Sequence, residues 1–321
     1  MVICDSHCHI SCQPKNEDAQ KLMNSLEGMA LQKYNIMSTN PWDLDFLLSL
    51  KGMDHQNLVI PYLGIHPWYS HLFSFTTITK KEHYTAVLSE LTPELLEVLP
   101  EPVLVDKHLQ KIEKFASSLK ESGQLLGIGE IGLDKLFRVP NSGYFGSNYR
   151  QEPKLTKSKV RIEHQMAIFK VQLELAERIR VPVSLHCVKA HGPLYDVIRD
   201  HSKQCPHLIL HSYSGSLDQA QRWIKDFKKQ NRKLSFSFSK FVNGKPEKLG
   251  DFKALLDALD ELQILVETDY PLDEYILNGK QDEYSMAMES IQTTIGEFKG
   301  WSPEFSRHVL NMNSENIYTA H

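Results

Sequence analysis

Short apolar stretches, each running into polar side chains, recur along the chain at residues 2–10, 31–38, 58–66, 125–134, 181–188, 207–214, 234–241 and 264–269. Each has the length and boundaries of a strand. Between them the spacing turns helical. Within 159–180, Ile162, Met166, Phe169, Leu173 and Ala176 advance by 4, 3, 4 and 3 residues, which is one helical face, and Pro182 ends the helix and opens the next strand. Shorter helices are predicted over 218–229 and 251–262, and the chain beyond residue 280 reads as helices that pack outside the strands. Strands alternating with helices make parallel βα units, and eight of them predict an α/β fold, a (β/α)8 TIM-type barrel. Two connections are long, 67–124 after the third run and 135–158 after the fourth. They are expected as long loops on the face where barrel strands end, shaping access to it. A single domain spanning 1–321 is expected, with no linker.

Composition narrows the function classes. The 321 residues are 41% hydrophobic and 24% charged, enough for a large core. A net charge of −4 argues against a protein that coats nucleic acid or membrane by bulk charge, while leaving room for a local basic groove. No basic-then-apolar leader opens the chain, and no apolar run nears the roughly 18 residues of a membrane span. Five cysteines do not suggest a disulfide framework, so a reducing compartment, cytoplasm or nucleus, is the expectation.

The polar residues that close these runs carry the chemistry. Asp5, His7 and His9 alternate along the first run, which puts all three on one face and turns Cys4 and Cys8 the other way. Two imidazoles so placed can share one ion, and the alternative reading is two structural histidines near a strand end. Cys4, Cys8 and Cys12 fit no usual zinc spacing and read as structural thiols. His66 ends the third run before Pro67. Glu130 sits in the apolar, glycine-punctuated stretch 127–134, where a buried carboxylate demands a partner. Asp134 ends that stretch and reads as an orienting group. His186 and His211 close the fifth and sixth runs, each unremarkable by itself. Asp269 ends the eighth, with Glu267 two residues earlier, a pair that could simply be structural. Together the positions point to one site, because strand ends converge at a barrel mouth. Six nitrogen and oxygen donors, His7, His9, Glu130, His186, His211 and Asp269, exceed one tetrahedral ion and suit two ions sharing a carboxylate.

These motifs resemble the TatD family of metal-dependent hydrolases. The stretches that carry the resemblance are Asp5-Ser6-His7-Cys8-His9, Gly64-Ile65-His66-Pro67, Gly129-Glu130-Ile131-Gly132-Leu133-Asp134, Gln165 with Phe169 and Leu173, residues 182–186, His211-Ser212-Tyr213-Ser214-Gly215-Ser216 and Glu267-Thr268-Asp269-Tyr270-Pro271. They run in family order over residues 1–275, with a faint echo at Asn313-Ser314-Glu315-Asn316-Ile317-Tyr318. The resemblance implies an amidohydrolase-like barrel and, in most members, deoxyribonuclease activity. It implies one divalent ion held by His7, His9, Glu130 and Asp269, a second held by Glu130, His186 and His211, and a substrate phosphate contacted by His66. One departure stands out. The family's H-x-R after the fifth strand is His186-Cys187-Val188 here, so the arginine is missing and Lys189 or His191 would have to supply its charge. The long insertions point to an elaborated eukaryotic, fungal branch.

The expected chemistry is metal-assisted phosphodiester hydrolysis of DNA, single-stranded or at a 3′ end, with zinc, manganese or magnesium as the two divalent metal ions. Asp269, His66 and Glu130 are the expected catalytic groups. Trp68, Tyr69, Tyr144, Phe145 and Tyr149 in the long connections could stack bases, although local packing is favoured. The alternatives are a metal-dependent deacylase or amidohydrolase, and a protein-binding scaffold with a vestigial site. No membrane partner is expected.

Overall fold

The computed structural model describes residues 4–31, 33–146 and 154–319; Tyr149 and the start of the first run lie outside the described residues. Eight parallel strands follow one another around a single sheet. They are β1 (Cys4–His9), β2 (Lys33–Met37), β3 (Val59–Leu63), β4 (Gly127–Asp134), β5 (Val183–Val188), β6 (His207–Leu210), β7 (Lys233–Ser239) and β8 (Ile264–Glu267). The ring closes just beyond the strand ends. Asp269 N–H donates to His7 C=O at 3.0 Å, and His9 N–H donates to Tyr270 C=O at 2.9 Å. The (β/α)8 expectation is met.

Helices cover the outside where the period predicts them, at Ile162–Ile179, Leu217–Lys229 and Leu249–Ala258. The second begins at a capping box, in which Ser216 Oγ accepts from Gln219 N–H and the Gln219 side chain returns to Ser216 N–H. It buries Ala220, Trp223 and Phe227, one face of the helix. Gln281–Lys299 and Pro303–Asn316 pack outside the barrel, as expected. Met37, Ile60, Tyr62, Ile209 and Leu265 form an interior cluster with Ile317 beyond the last helix. The barrel is therefore solid beneath its mouth, and a site at the strand ends has a floor.

The connection after β3 differs from expectation. It is largely helical, with Lys80–Val87, Pro93–Val98 and Val105–Glu121. Local signals explain why. Thr79 and Glu82 form a capping box, Thr92 caps a helix with Pro93 in its first turn, and Val105–Glu121 buries Val105, His108, Ile112, Ala116 and Leu119. This insertion shares a core with the one after β4, where Leu72, Phe73, Tyr84 and Leu95 cluster with Phe137, Val139 and Val160. The two are stitched by Arg161 N–H to Val87 C=O (2.8 Å) and His71 Nε2 to Gly143 C=O (3.0 Å).

A second correction concerns β1. Its register against β2 pairs Asp5 with Tyr34 and Cys8 with Ile36, so β1 carries one extra residue between them. Strict alternation is lost there. Ser6 faces the interior, with its Oγ 2.7 Å from Ser237 Oγ, and His7 faces the mouth. Asp5 does not share that face. Its carboxylate accepts from Thr268 N–H (3.1 Å), Thr268 Oγ1 (2.6 Å), His7 N–H (3.1 Å) and Tyr284 Oη (2.5 Å) of the covering helix Gln281–Lys299. Burial pushes Asp5 up to about 7, against the lowering pull of those donors. It ties β1 to β8. Asp5→Ala would strand buried donors and should lower the unfolding free energy by about 2–4 kcal/mol, read as a lower urea midpoint at unchanged m-value.

Candidate metal centre

The strand ends meet around the carboxylate of Glu130, whose side chain is 2% exposed. Gly132 makes this approach possible. Its φ is +152° and a Cβ there would lie 2.0 Å from the carbonyl oxygen of His186, so only glycine lets β4 run this close to β5. Glu130 Oε1 lies 2.5 Å from His186 Nδ1, 2.7 Å from His211 Nε2 and 3.4 Å from His66 Nε2. Oε2 lies 3.2 Å from His7 Nε2 and 3.3 Å from His9 Nε2. Asp269 Oδ1 lies 3.2 Å from His9 Nε2 and 3.9 Å from His7 Nε2. All seven predicted site residues stand in this one cluster.

The opposite edge of most rings is already committed. His7 Nδ1 lies 2.9 Å from Ser184 Oγ, His211 Nδ1 3.3 Å from Glu267 Oε1, and His186 Nε2 3.5 Å from Asp134 Oδ2. A carboxylate or hydroxyl behind a ring fixes its orientation and leaves the other nitrogen free to bind a cation. His7 Nε2 and His9 Nε2 also face each other at 3.2 Å, where at most one can carry the shared proton. Imidazole nitrogens and carboxylate oxygens converging in this way fit divalent zinc or manganese, and magnesium on the carboxylate side.

Comparison with known proteins places the chain in a family. Residues 4–319 match the family model described as TatD related DNase. The chain belongs to the TatD family. It is 35% identical to an uncharacterized deoxyribonuclease of Saccharomyces cerevisiae over 84% of this chain and 83% of that one. It is 28% identical to the Cut9-interacting protein scn1 of Schizosaccharomyces pombe over 98% of this chain and 97% of that one. A solved TatD homologue from Escherichia coli has the same fold, with a TM-score of 0.62 at 18% identity over 98% of this chain and 97% of that one. Membership makes the protein a metal-dependent hydrolase of an ester-cleaving family.

Within this TatD site the histidines divide into two kinds. His66 Nδ1 accepts the N–H of Trp68 at 3.1 Å, and burial lowers its pKa to about 4, so the ring is neutral with its one proton on Nε2. That nitrogen points at Glu130 Oε1. It can donate a hydrogen bond and is not free to hold a cation, although His66, Glu130 and His186 lie within ligand distance of one another. His186 and His211 behave oppositely. Burial lowers both, but Glu130 overcomes it, with Asp134 for His186 and Glu267 for His211, so His186 is raised to about 9 and His211 is raised well above its ordinary value. Burial would raise Glu130, yet His211, His66, His186 and His7 hold it well below the carboxylate range.

Two orienting residues carried weaker signals in the sequence. Asp134 was legible as an orienter, and its Oδ2 accepts from Trp68 Nε1 at 2.7 Å besides facing His186. Glu267 was read only as a possible partner of Asp269. It instead accepts from Ser212 N–H (2.9 Å) and Ser212 Oγ (2.5 Å) and faces His211. Their spacing two residues apart suggested a shared face, but Asp269 lies beyond the strand at φ 62°, a left-handed conformation that redirects its side chain. The aromatic residues of the insertions are engaged in local packing. Trp68 stacks on Phe137 at 5.6 Å, Tyr144 stacks on Trp42 at 4.4 Å, Phe145 leans on Trp68 at 5.2 Å, and Tyr69 is buried.

Cation binding must displace the protons on His186 and His211. Because those pKa values are raised, protons compete at neutral pH and affinity should rise with pH, up to about tenfold per unit for each proton displaced, with the His186 share ending near pH 9. A chelator-competition titration reads this; a flat profile would contradict it. Glu267→Gln should weaken metal binding by about 10–100-fold, while His66→Ala should leave the bound-metal count unchanged by elemental analysis.

Proposed function

We propose that the protein is a two-metal phosphodiesterase that hydrolyses single-stranded DNA, working from a 3′ end. The observation that carries this reading is the division of Glu130, with one oxygen toward His186 and His211 and the other toward His7 and His9. A carboxylate so flanked would be shared by two donor sets, and a pair of cations held there would supply the charge stabilisation used for in-line displacement at phosphorus. The name of the S. cerevisiae relative, a deoxyribonuclease, supports DNA as the substrate.

His7, His9, Glu130 and Asp269 would hold one cation, and Glu130, His186 and His211 the other. The ions would supply Lewis-acid activation of water and of the phosphoryl oxygens. Asp269 does the proton work. Burial opposes its charge, but His9, His211 and His7 lower its pKa and keep it ionised, and at 21% side-chain exposure it can meet a water at the mouth. His66 brings its Nε2 proton toward the place where negative charge grows on the phosphoryl group. Its ring is held by Trp68 N–H behind it and by the edge of the Trp68 indole, centroids 5.0 Å apart. Little ordering remains to be done during the reaction.

The name of the S. pombe relative favours a second reading, in which the same barrel serves a protein partner. Metal-loaded protein incubated with end-labelled single-stranded DNA, and separately with acyl and amide esters, distinguishes the possibilities. Cleavage of DNA that disappears in Glu130→Ala is expected. Turnover of carbonyl substrates alone, or equal activity in wild type and variant, would overturn the proposal. His66→Ala should lower kcat on DNA by about 100–1,000-fold while the metals stay bound.

A further inference from the structure

The turn after β7 presents an aromatic ring to water at the barrel mouth. Phe241 is 61% exposed, more than any other aromatic side chain among the described residues. The turn that carries it is tightly held. Val242 N–H donates to Ser239 Oγ (3.2 Å), Asn243 Oδ1 accepts from Ser239 N–H (3.1 Å), Asn243 Nδ2 donates to Tyr213 C=O (2.9 Å), and Gly244 N–H donates to Lys240 C=O (3.1 Å). A turn with this many bonds does not expose an apolar ring through looseness.

Its place in the fold ties it to the site. Ser239, the last residue of β7, pairs in register with Glu267, and its Oγ lies 3.0 Å from Ser212 Oγ, which in turn donates to Glu267 behind His211. The turn therefore begins one hydrogen bond from the groups that orient His211. Lysines accompany the ring on its own turn. Lys245 Nζ lies 4.9 Å from the Phe241 centroid, and exposed Lys240 precedes it. Lys189, exposed at φ 54°, stands on the loop after β5, one residue past the Val188 that replaces the family arginine. His191, the other candidate for that charge, packs its ring against Tyr213, and burial and then Lys189 lower its pKa, which disfavours a charge there. In a chain of net charge −4, this turn thus combines an exposed aromatic ring with Lys240 and Lys245, and Lys189 follows another strand that ends at the same mouth.

We propose that this sector is a nucleotide subsite, in which Phe241 stacks on an unpaired base adjacent to the scissile linkage while Lys240, Lys245 and Lys189 take the flanking phosphates. Single strands offer an open base face beside each charged linkage, and an aromatic side chain interleaved with cations matches that alternation, whereas a duplex hides its base faces. The inference rests on the phosphodiesterase reading for the direction of the strand, but it assigns a binding surface that can be measured without turnover.

The test has two arms. In the first, a fluorescent oligothymidylate is titrated into metal-free protein in chelator. Phe241→Ala should weaken binding by about 5–100-fold, Phe241→Trp should restore it, and the Lys240→Gln/Lys245→Gln double variant should reduce the slope of log K against log salt by about 1.4. In the second, metal-loaded protein is assayed on the same oligonucleotide and on a small aryl phosphodiester with no base to stack. The ratio of kcat/KM values, oligonucleotide over small ester, should fall by a similar factor in Phe241→Ala. If wild type cleaves DNA and Phe241→Ala changes neither affinity nor this ratio, the subsite is wrong and the function stands. If metal-free protein binds the strand through Phe241 but metal-loaded protein cleaves none of it, the function is wrong and the subsite stands. Absence of both binding and cleavage removes both.

Discussion

A single buried carboxylate governs this molecule. Glu130 lies in the middle of a strand, out of reach of bulk water, where an isolated charge would cost many kcal/mol. Five imidazoles from four strands and their ends surround it, and in the absence of cations some of them carry protons that balance its charge. The arrangement is electrostatically sound only as a whole. Removing one ring leaves charge uncompensated, and removing the carboxylate leaves cationic rings facing one another. A divalent pair would take over the role of those protons, so the geometry that neutralises Glu130 also forms the donor set of the metal centre.

The fold and the site depend on the same few connections. The ring of strands closes where His7 and Asp269 share a backbone hydrogen bond, so two donors to the proposed metal site also seal the barrel. Directly behind that seam, Asp5 receives four hydrogen bonds and ties β1 to β8 and to the covering helix. The bulge that takes Asp5 off the mouth face lets His7 and His9 both reach Glu130, with Ser6 turned inward below them. Loss of alternation in β1 is therefore the local price of placing two rings on one carboxylate.

Much of this was legible from sequence. Helix spacing predicted Ile162–Ile179, and eight apolar runs predicted eight strands, because both patterns record burial directly. The polar residues closing those runs predicted the cluster, since a parallel barrel leaves strand ends nowhere to go except one mouth. What could not be read depended on contacts distant in the chain or on a local break in period. One extra residue in β1 leaves no mark in composition, and the left-handed Asp269 separates its side chain from Glu267 despite their even spacing. The insertion after β3 hid its helices because two of them are short and because it shares a core with the separate insertion after β4. Its capping residues, Thr79 with Glu82 and Thr92 with Pro93, were the available signals.

The tautomer of His66 shows how such a site can separate binding from chemistry without changing residue type. Five histidines crowd one carboxylate, yet four of them are assigned by what stands behind the ring. A carboxylate or hydroxyl behind the ring takes up a proton on the far nitrogen and turns a lone pair toward the centre, as for His211 against Glu267 and His7 against Ser184. A backbone N–H behind the ring does the reverse, and only His66 has one. The donor is Trp68, whose own indole N–H is anchored on Asp134, the carboxylate that also faces His186. One aspartate thus steadies a prospective metal ligand through its ring and a prospective proton donor through the tryptophan between them. The residues that decide whether an imidazole holds a cation or offers a proton lie one layer back, so the physical ground for setting His66 apart from the other four rings is Trp68 N–H behind it rather than its place at a strand end.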